Sequence, residues 1–519
     1  MSKLVKSLSV VSGFTMISRV LGLLRDILFF SCFGSSAIAS AFILAFTLPN
    51  LFRRMLGEGT LSSAFIPVFA EELEKRGMDS AHRILNQVLS RLALFLVCLC
   101  VAVSLLSFFV PNSWELARKW MDGAFLNAIV FPYVLFICMA AIIVGALNTH
   151  RSFFAGAFSP IILNLSMIGS LILAKWGMGL DGMRLAVALC VGVVAGGIAQ
   201  LTVPWLQLRW QKGWQWKPDL QSSEQLSRIK SLFWVGAFGA AVAQINILVS
   251  RFLAYSLDDQ GALPYLFLSA RLIELPLGVF AIAISTVLFP ELARSSGSSD
   301  DRGFDEIFAR GFRLTLAITL PAAIGLGMLA EPVLSVLFQW GRFGAGDVAQ
   351  AAKVLYVSAA ALPFYALSAY LVKAFHSRKQ MKPPLLAGIF SFAVNLGLSL
   401  FLMHRYGVIG LAWANVGSSC AQTLILLIQL KNVPLWHYLK PAPFCVLSIM
   451  ISSAGMAGVL YLLEPLVATD DSQVGNLWRL CLLIPAGVLI KFFFLLAFGF
   501  PEAGSVAGKI RNFYGKLFG

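Results

Sequence analysis

The chain reads as an all-α polytopic membrane protein of about 14 transmembrane helices: two six-helix lobes in parallel repeat, then two C-terminal helices. Three observations carry this reading. Of 519 residues, 58% are hydrophobic and only 13% charged, with a mean hydropathy of +0.81, whereas a soluble domain averages about 25% charged residues. Apolar stretches long enough to cross a bilayer recur from end to end. The two halves also echo each other at a fixed offset.

Taken in order, the apolar segments centre roughly on residues 20, 43, 98, 135, 163, 194, 242, 280, 318, 362, 392, 419, 452 and 487. Lys3 and Lys6 precede the first segment, which runs past signal-peptide length and carries Arg19, Arg25 and Asp26, so cleavage there is not expected. Residues 1–208 form the expected N-terminal lobe. A polar, tryptophan-dotted stretch at 209–225, RWQKGWQWKPDLQSSEQ, is the expected cytoplasmic linker, with Trp and Lys resting at headgroup level. Residues 226–432 form the second lobe and 433–500 the two extra helices. Residues 501–519 make a basic cytoplasmic tail.

FPYVLFICMAAIIVGALNTHR (131–151) parallels LPFYALSAYLVKAFHSR (362–378), and one offset separates both Pro132 from Pro363 and Asn164 from Asn395. AFIPVFAEEL after the second helix matches VLFPELAR after the eighth. Because six is even, both halves enter from the same side, which makes the repeat parallel and the architecture that of a transporter.

The net charge of +15 follows topology. With the N-terminus inside, about 26 Lys/Arg fall to inside loops and about 8 to outside loops, among them Lys75, Arg76 and Arg83 inside. That distribution argues against nucleic acid. The eight cysteines lie in or beside apolar segments without metal-ligand spacing, and the five histidines form no cluster. No metal site is expected. Lys491, ahead of FFFLLAF, reads as a snorkelling lysine.

A charge at mid-bilayer costs about 2.5–3.5 kcal/mol on insertion scales and marks function. Ser12, Thr15, Arg19, Gly22 and Asp26 recur in steps of three and four, a polar stripe on the first helix, with Arg25 to one side. The second helix adds Ser40, Thr47, Asn50 and Arg54 on one face, interrupted by Pro49. Arg53 is rotated away, and Glu58, four residues beyond Arg54, is placed to pair with it. The seventh offers Gln244 and Arg251. The eighth carries Arg271 and Glu274, three apart, ahead of Pro276. Pro49 and Pro276 are the candidate hinges. Arginines outnumber acids among these residues, and the guanidinium fork suits phosphate and carboxylate, so the expected ligand is an anion such as a diphosphate.

SRVLGLLRD (18–26), AFxxAFxLPNLFRRMLGEGxxSxAFIPVF (41–69, x marking positions that carry none of the likeness) and ARLIELPLGVFAIAISTVLFPELAR (270–294) closely resemble the MurJ (MviN) lipid II flippases of the multidrug/oligosaccharidyl-lipid/polysaccharide exporter superfamily. The resemblance covers nearly the whole chain. It implies flipping of lipid II, undecaprenyl-diphosphate bearing a disaccharide-pentapeptide, from the cytoplasmic to the periplasmic leaflet of the bacterial inner membrane, by a transporter expected to be monomeric with both termini cytoplasmic. The family's cavity arginines fall on Arg19, Arg25, Arg53, Arg54 and Arg271, and its acids on Asp26, Glu58 and Glu274. The last two helices correspond to a groove for the lipid tail. Two departures stand out. Ser40 and Thr47 replace an acid and a lysine that many members carry, and helix seven and residues 349–462 hold no acid of the kind that binds sodium in some members. No cofactor is expected; the drive is expected to be membrane potential or an ion gradient. The rival readings are a flippase for another polyprenyl-linked glycan, a multidrug exporter, which would want an acidic cavity, and a membrane glycosyltransferase, which would want clustered acids or histidines in a loop.

Overall fold

The computed structural model describes residues 3–57, 60–108, 118–295, 301–430, 442–467, 472–500 and 502–504. Glu58 lies outside them, as do residues 505–519 of the expected tail. Every regular element among the described residues is helical. In chain order these are α1 (Lys3–Phe33), α2 (Ala37–Phe52), α3 (Thr60–Arg76), α4 (Met78–Phe108), α5 (Arg118–Val130), α6 (Tyr133–Thr149), α7 (Phe154–Ile172), α8 (Gly182–Lys212) and α9 (Glu224–Ser256). There follow α10 (Ala262–Pro276), α11 (Ile282–Ser295), α12 (Asp301–Met328), α13 (Ala330–Phe338), α14 (Ala345–Ala359), α15 (Leu362–Ser377), α16 (Lys382–Gln429), α17 (Ala442–Val467) and α18 (Gln473–Ala497).

All-helical construction is what a bilayer demands, because each backbone polar group must be satisfied within its own segment. Among the described residues, eight helices are long and apolar enough to cross a membrane, and ten spans result if each of two bent pairs counts as one. The 48-residue α16 is two helices merged across Gly407, whose φ of +55° and ψ of −133° are not helical. Dividing it there, and adding α1, α2 with its extension, and α9, yields the 14 spans the hydropathy suggests.

The bent pairs, α5 with α6 and α14 with α15, turn by 40° and 41°. Pro132 and Pro363 sit at the two breaks. Proline removes a helix hydrogen bond and clashes with the preceding turn, which fixes a bend at that point. The repeat read from sequence therefore recurs as the same bent span in each half.

The chain forms two compact units, Met1–Pro264 with Trp340–Phe343, and Tyr265–Gln339 with Gly344–Gly519. In the first, α1 packs on α7, α6 and α7 pack on α8, and α2 packs on α5. Helix α9 lies against α2, α3 and α4 of this unit. Its N-terminal end is tied by Arg228 to Glu71 at 2.5 Å and by Gln225 to Glu72 at 3.2 Å. The linker packs against the protein. Trp214 is fully buried and donates its indole N–H to Asn86 at 3.0 Å, and Gln87 donates to Asp219 at 3.1 Å, strapping residues 214–219 along α4. An indole of that size finds both cover and a partner there, the arrangement a buried Trp requires.

A short segment of the first unit comes from the connection after α13. Phe343 is buried, with its ring 5.6 Å from Phe30. Arg342 donates its backbone N–H to the Ser31 carbonyl at 2.9 Å and its guanidinium to Asp181 at 3.2 Å. Asp181 also accepts from Lys175, and that ammonium, more than Arg342, holds the carboxyl below the usual aspartate value of 3.8.

In the second unit, α11, α12, α15 and α16 meet around Leu292, Phe308, Tyr370 and Leu426. The extra helices α17 and α18 pack on each other, and α17 also packs on α12. Lys491 does not snorkel. Only 6% of it is exposed, and its ammonium donates to the Ile449 carbonyl at 2.9 Å, Ser452 at 2.6 Å and Ser453 at 2.7 Å, filling all three donors across the α17–α18 pair.

Candidate anion site

The first unit brings Arg25, Asp26 and Asn164 together. Arg25 donates through Nε at 3.0 Å and Nη2 at 2.6 Å to one oxygen of Asp26, and through Nη1 to the Asn164 carbonyl oxygen at 3.1 Å. Asn164 in turn donates to the Ser18 carbonyl one helix away at 3.0 Å. The side chain of Asp26 is buried and Arg25 is half-buried. Spacing along α1 gives the Arg25–Asp26 adjacency but not the anchor from α7, since Asn164 stands out in the sequence only as a repeat marker. The result is a charge-assisted bond in a sheltered place, held in one orientation by a neutral amide.

Arg19, two turns toward the N-terminus of α1, is exposed. Downstream, α2 passes through Pro49 into a π-helical turn, Arg53–Gly57. The same device follows Pro276, where Leu277–Ala281 is π-helical. Such turns concentrate at functional sites. Arg53 donates Nε to Asn50 at 3.3 Å, while Arg54 is exposed. The widened turn alters the helical step on which the Asn50–Arg54 alignment rests.

Two residues of the expected α2 stripe face a neighbouring helix. Ser40 donates to the Gln260 carbonyl just past α9 at 2.5 Å. Thr47 accepts from Arg251 on α9 at 2.7 Å. Arg251 is thereby joined to α2, a partnership that spacing along either helix alone does not reveal.

In the second unit Arg271 and Glu274 approach to 3.5 Å, with side chains 32% and 53% exposed. At that distance and exposure the pair itself contributes little stability. Asn395 donates to Asn415 at 2.9 Å and Ser418 at 3.2 Å, so these neutral groups satisfy one another. Among the described residues no three His, Cys, Asp or Glu side chains converge as a metal site would need.

Comparison with known proteins settles the family. The family model for lipid II flippase MurJ matches residues 29–479. The chain belongs to the MurJ family. A relative named probable lipid II flippase MurJ, from Rhizobium meliloti, is 32% identical over 513 residues, covering 96% of this chain and 94% of its own. The solved lipid II flippase MurJ in an inward closed conformation is 26% identical and superposes with a TM-score of 0.78, over 94% of this chain and 98% of that one. An inward-facing multidrug resistance MATE transporter of the MOP superfamily shares the fold, at a TM-score of 0.66 and 13% identity, over 80% of this chain and 94% of that one. MurJ is a family of lipid-flipping transporters, not of enzymes, and this chain is a multi-pass membrane protein.

Proposed function

We propose that this chain flips lipid II from the inner to the outer leaflet of the bacterial inner membrane, with both termini inside, as a monomer working by alternating access. Membership of the MurJ family over nearly the whole chain supports the substrate. The observation that carries the mechanism is the hold of Arg25 on Asp26 and Asn164. A guanidinium kept in place by one carboxylate oxygen and one amide is a docking point for a diphosphate, which competes for the same N–H groups and brings more charge than Asp26 offers. Arg19, Arg53 and Arg54 supply further positive charge in the first unit, and in the second the Arg271–Glu274 pair, at 3.5 Å, is the kind a phosphate opens. Pro49 and Pro276, each leading into a π-helical turn, act as the flexible points. Membrane potential, or proton exchange on a carboxyl such as Asp26, drives the cycle.

Arg25→Gln and Arg271→Gln test this reading. Each is expected to lower lipid II flipping in proteoliposomes at least about tenfold, the scale of one charge-assisted contact, while abundance and thermal stability stay near wild type. Wild-type flipping by both variants would end the anion-clamp mechanism.

A further inference from the structure

We infer that Thr47 is a positioning residue that aims Arg251 at the anionic headgroup, an inference that rests on the flippase reading above. Thr47 is 3% exposed. Its hydroxyl proton goes to the Ile43 carbonyl at 2.6 Å, one turn back on α2. With the donor occupied there, a lone pair is turned to receive Arg251 Nη1, at 2.7 Å. The β-branched side chain has few rotamers open to it inside a helix, so the acceptor is fixed in direction.

A second contact fixes the register of the two helices. Ser40, two turns before Thr47 on the same face of α2, donates to the Gln260 carbonyl. Farther along α9, the Lys119 ammonium donates to the Ser256 and Leu257 carbonyls at 3.3 and 2.6 Å, capping the end of the helix. Arg251 therefore projects from a helix held just beyond it, and its guanidinium is met by a buried, immobile oxygen. A hydroxyl has no charge of its own. It orients the guanidinium without adding a negative charge against which an incoming phosphate must compete, whereas Asp26 at Arg25 does both. The sequence face that looks like a cavity lining at Ser40 and Thr47 is thus a seam that sets the direction of one arginine.

The test uses the full-length chain in liposomes containing fluorescent lipid II, with initial flipping rate measured against lipid II mole fraction. Thr47→Val keeps the shape and removes the acceptor. It is expected to raise the half-saturating lipid II fraction at least about fivefold with a smaller change in maximal rate, and Thr47→Ser is expected to return it to within about twofold of wild type. Arg251→Gln is expected to show the same shift as Thr47→Val, and the double variant no more than Arg251→Gln alone, since the two changes break one interaction. Thermal melting in detergent checks that the variants are folded. Should Thr47→Val melt normally and saturate like wild type, or Thr47→Ser behave like Thr47→Val, the positioning role is wrong. If Arg25→Gln and Arg271→Gln are impaired while Arg251→Gln and Thr47→Val are not, this inference alone fails. If none of the four is impaired, the anion-clamp reading fails with it.

Discussion

Lys491 shows how far a residue's neighbours in sequence can mislead. Ahead of an aromatic run near the end of a span, it has the pattern of a snorkelling lysine, yet it fills its donors on Ile449, Ser452 and Ser453. Its partners precede it by a whole helix and a loop, so nothing local in the sequence announces them. Asn164 and Thr47 were obscured in the same way, because each matters through an arginine on another helix. Arg271 and Glu274, by contrast, were legible directly, since i,i+3 neighbours meet on any helix, and Arg25 and Asp26 were legible as adjacent residues that the long arginine side chain can bridge. Burying an ammonium is costly unless it is fully bonded, and stripping it away leaves acceptors without partners. Lys491→Ala is expected to destabilise the chain by about 2–4 kcal/mol. Lys491→Met, which restores the volume, is expected to cost less. Melting temperature in detergent ranks the two, and Ala melting at or above Met would refute the buried-pin account.

At the scale of elements, helix existence was legible almost throughout, because long apolar runs bounded by charge have few alternatives in a bilayer. Helix irregularity was only half legible. Pro49 and Pro276 announced breaks, whereas Pro132 and Pro363 stood out only as repeat markers, and the composition of Arg53–Gly57 and Leu277–Ala281 is ordinary for an α-helix, so the π-helical turns were hidden. The docking of residues 340–343 onto the first unit was hidden for a different reason: it depends on backbone geometry. Gly341 has φ +57°, and a Cβ there would lie 2.4 Å from the Ser31 carbonyl oxygen, a backbone atom that cannot swing aside. The Arg342–Asp181 pair is half-exposed on both sides and worth little, so the hold on this segment comes from the Arg342 amide and buried Phe343. Gly341→Ala is accordingly expected to speed hydrogen exchange of the Arg342 amide at least about tenfold. Changing pH is expected to do far less. The Asp181 carboxyl is depressed, so its ion pairs are fully present above about 3.8 and fade only as pH falls through the lower folded value. Exchange at Arg342 should be flat, after correction for intrinsic rate, between about pH 5 and 8. A pronounced rise in that window would show that something other than Asp181 governs the segment.

For the whole molecule, the repeat was legible from a few short matches, and the paired 40° and 41° bends give it a structural form. A duplicated unit of this kind divides the work of a transporter between similar halves, with the charges placed by the first and second spans of each rather than by loops. The absence of acids from residues 349–462 bears on the energy source: flipping is expected to respond to an imposed membrane potential or pH gradient and to change less than about twofold when a sodium gradient is imposed or collapsed. A strict sodium requirement would contradict that expectation. The central claim concerns the cargo. Purified chain in liposomes should move fluorescent lipid II between leaflets, faster than protein-free vesicles, and should leave a polyprenyl-diphosphate lipid bearing an unrelated glycan largely where it was. Movement of the unrelated lipid with lipid II left behind, or movement of neither, would contradict the account.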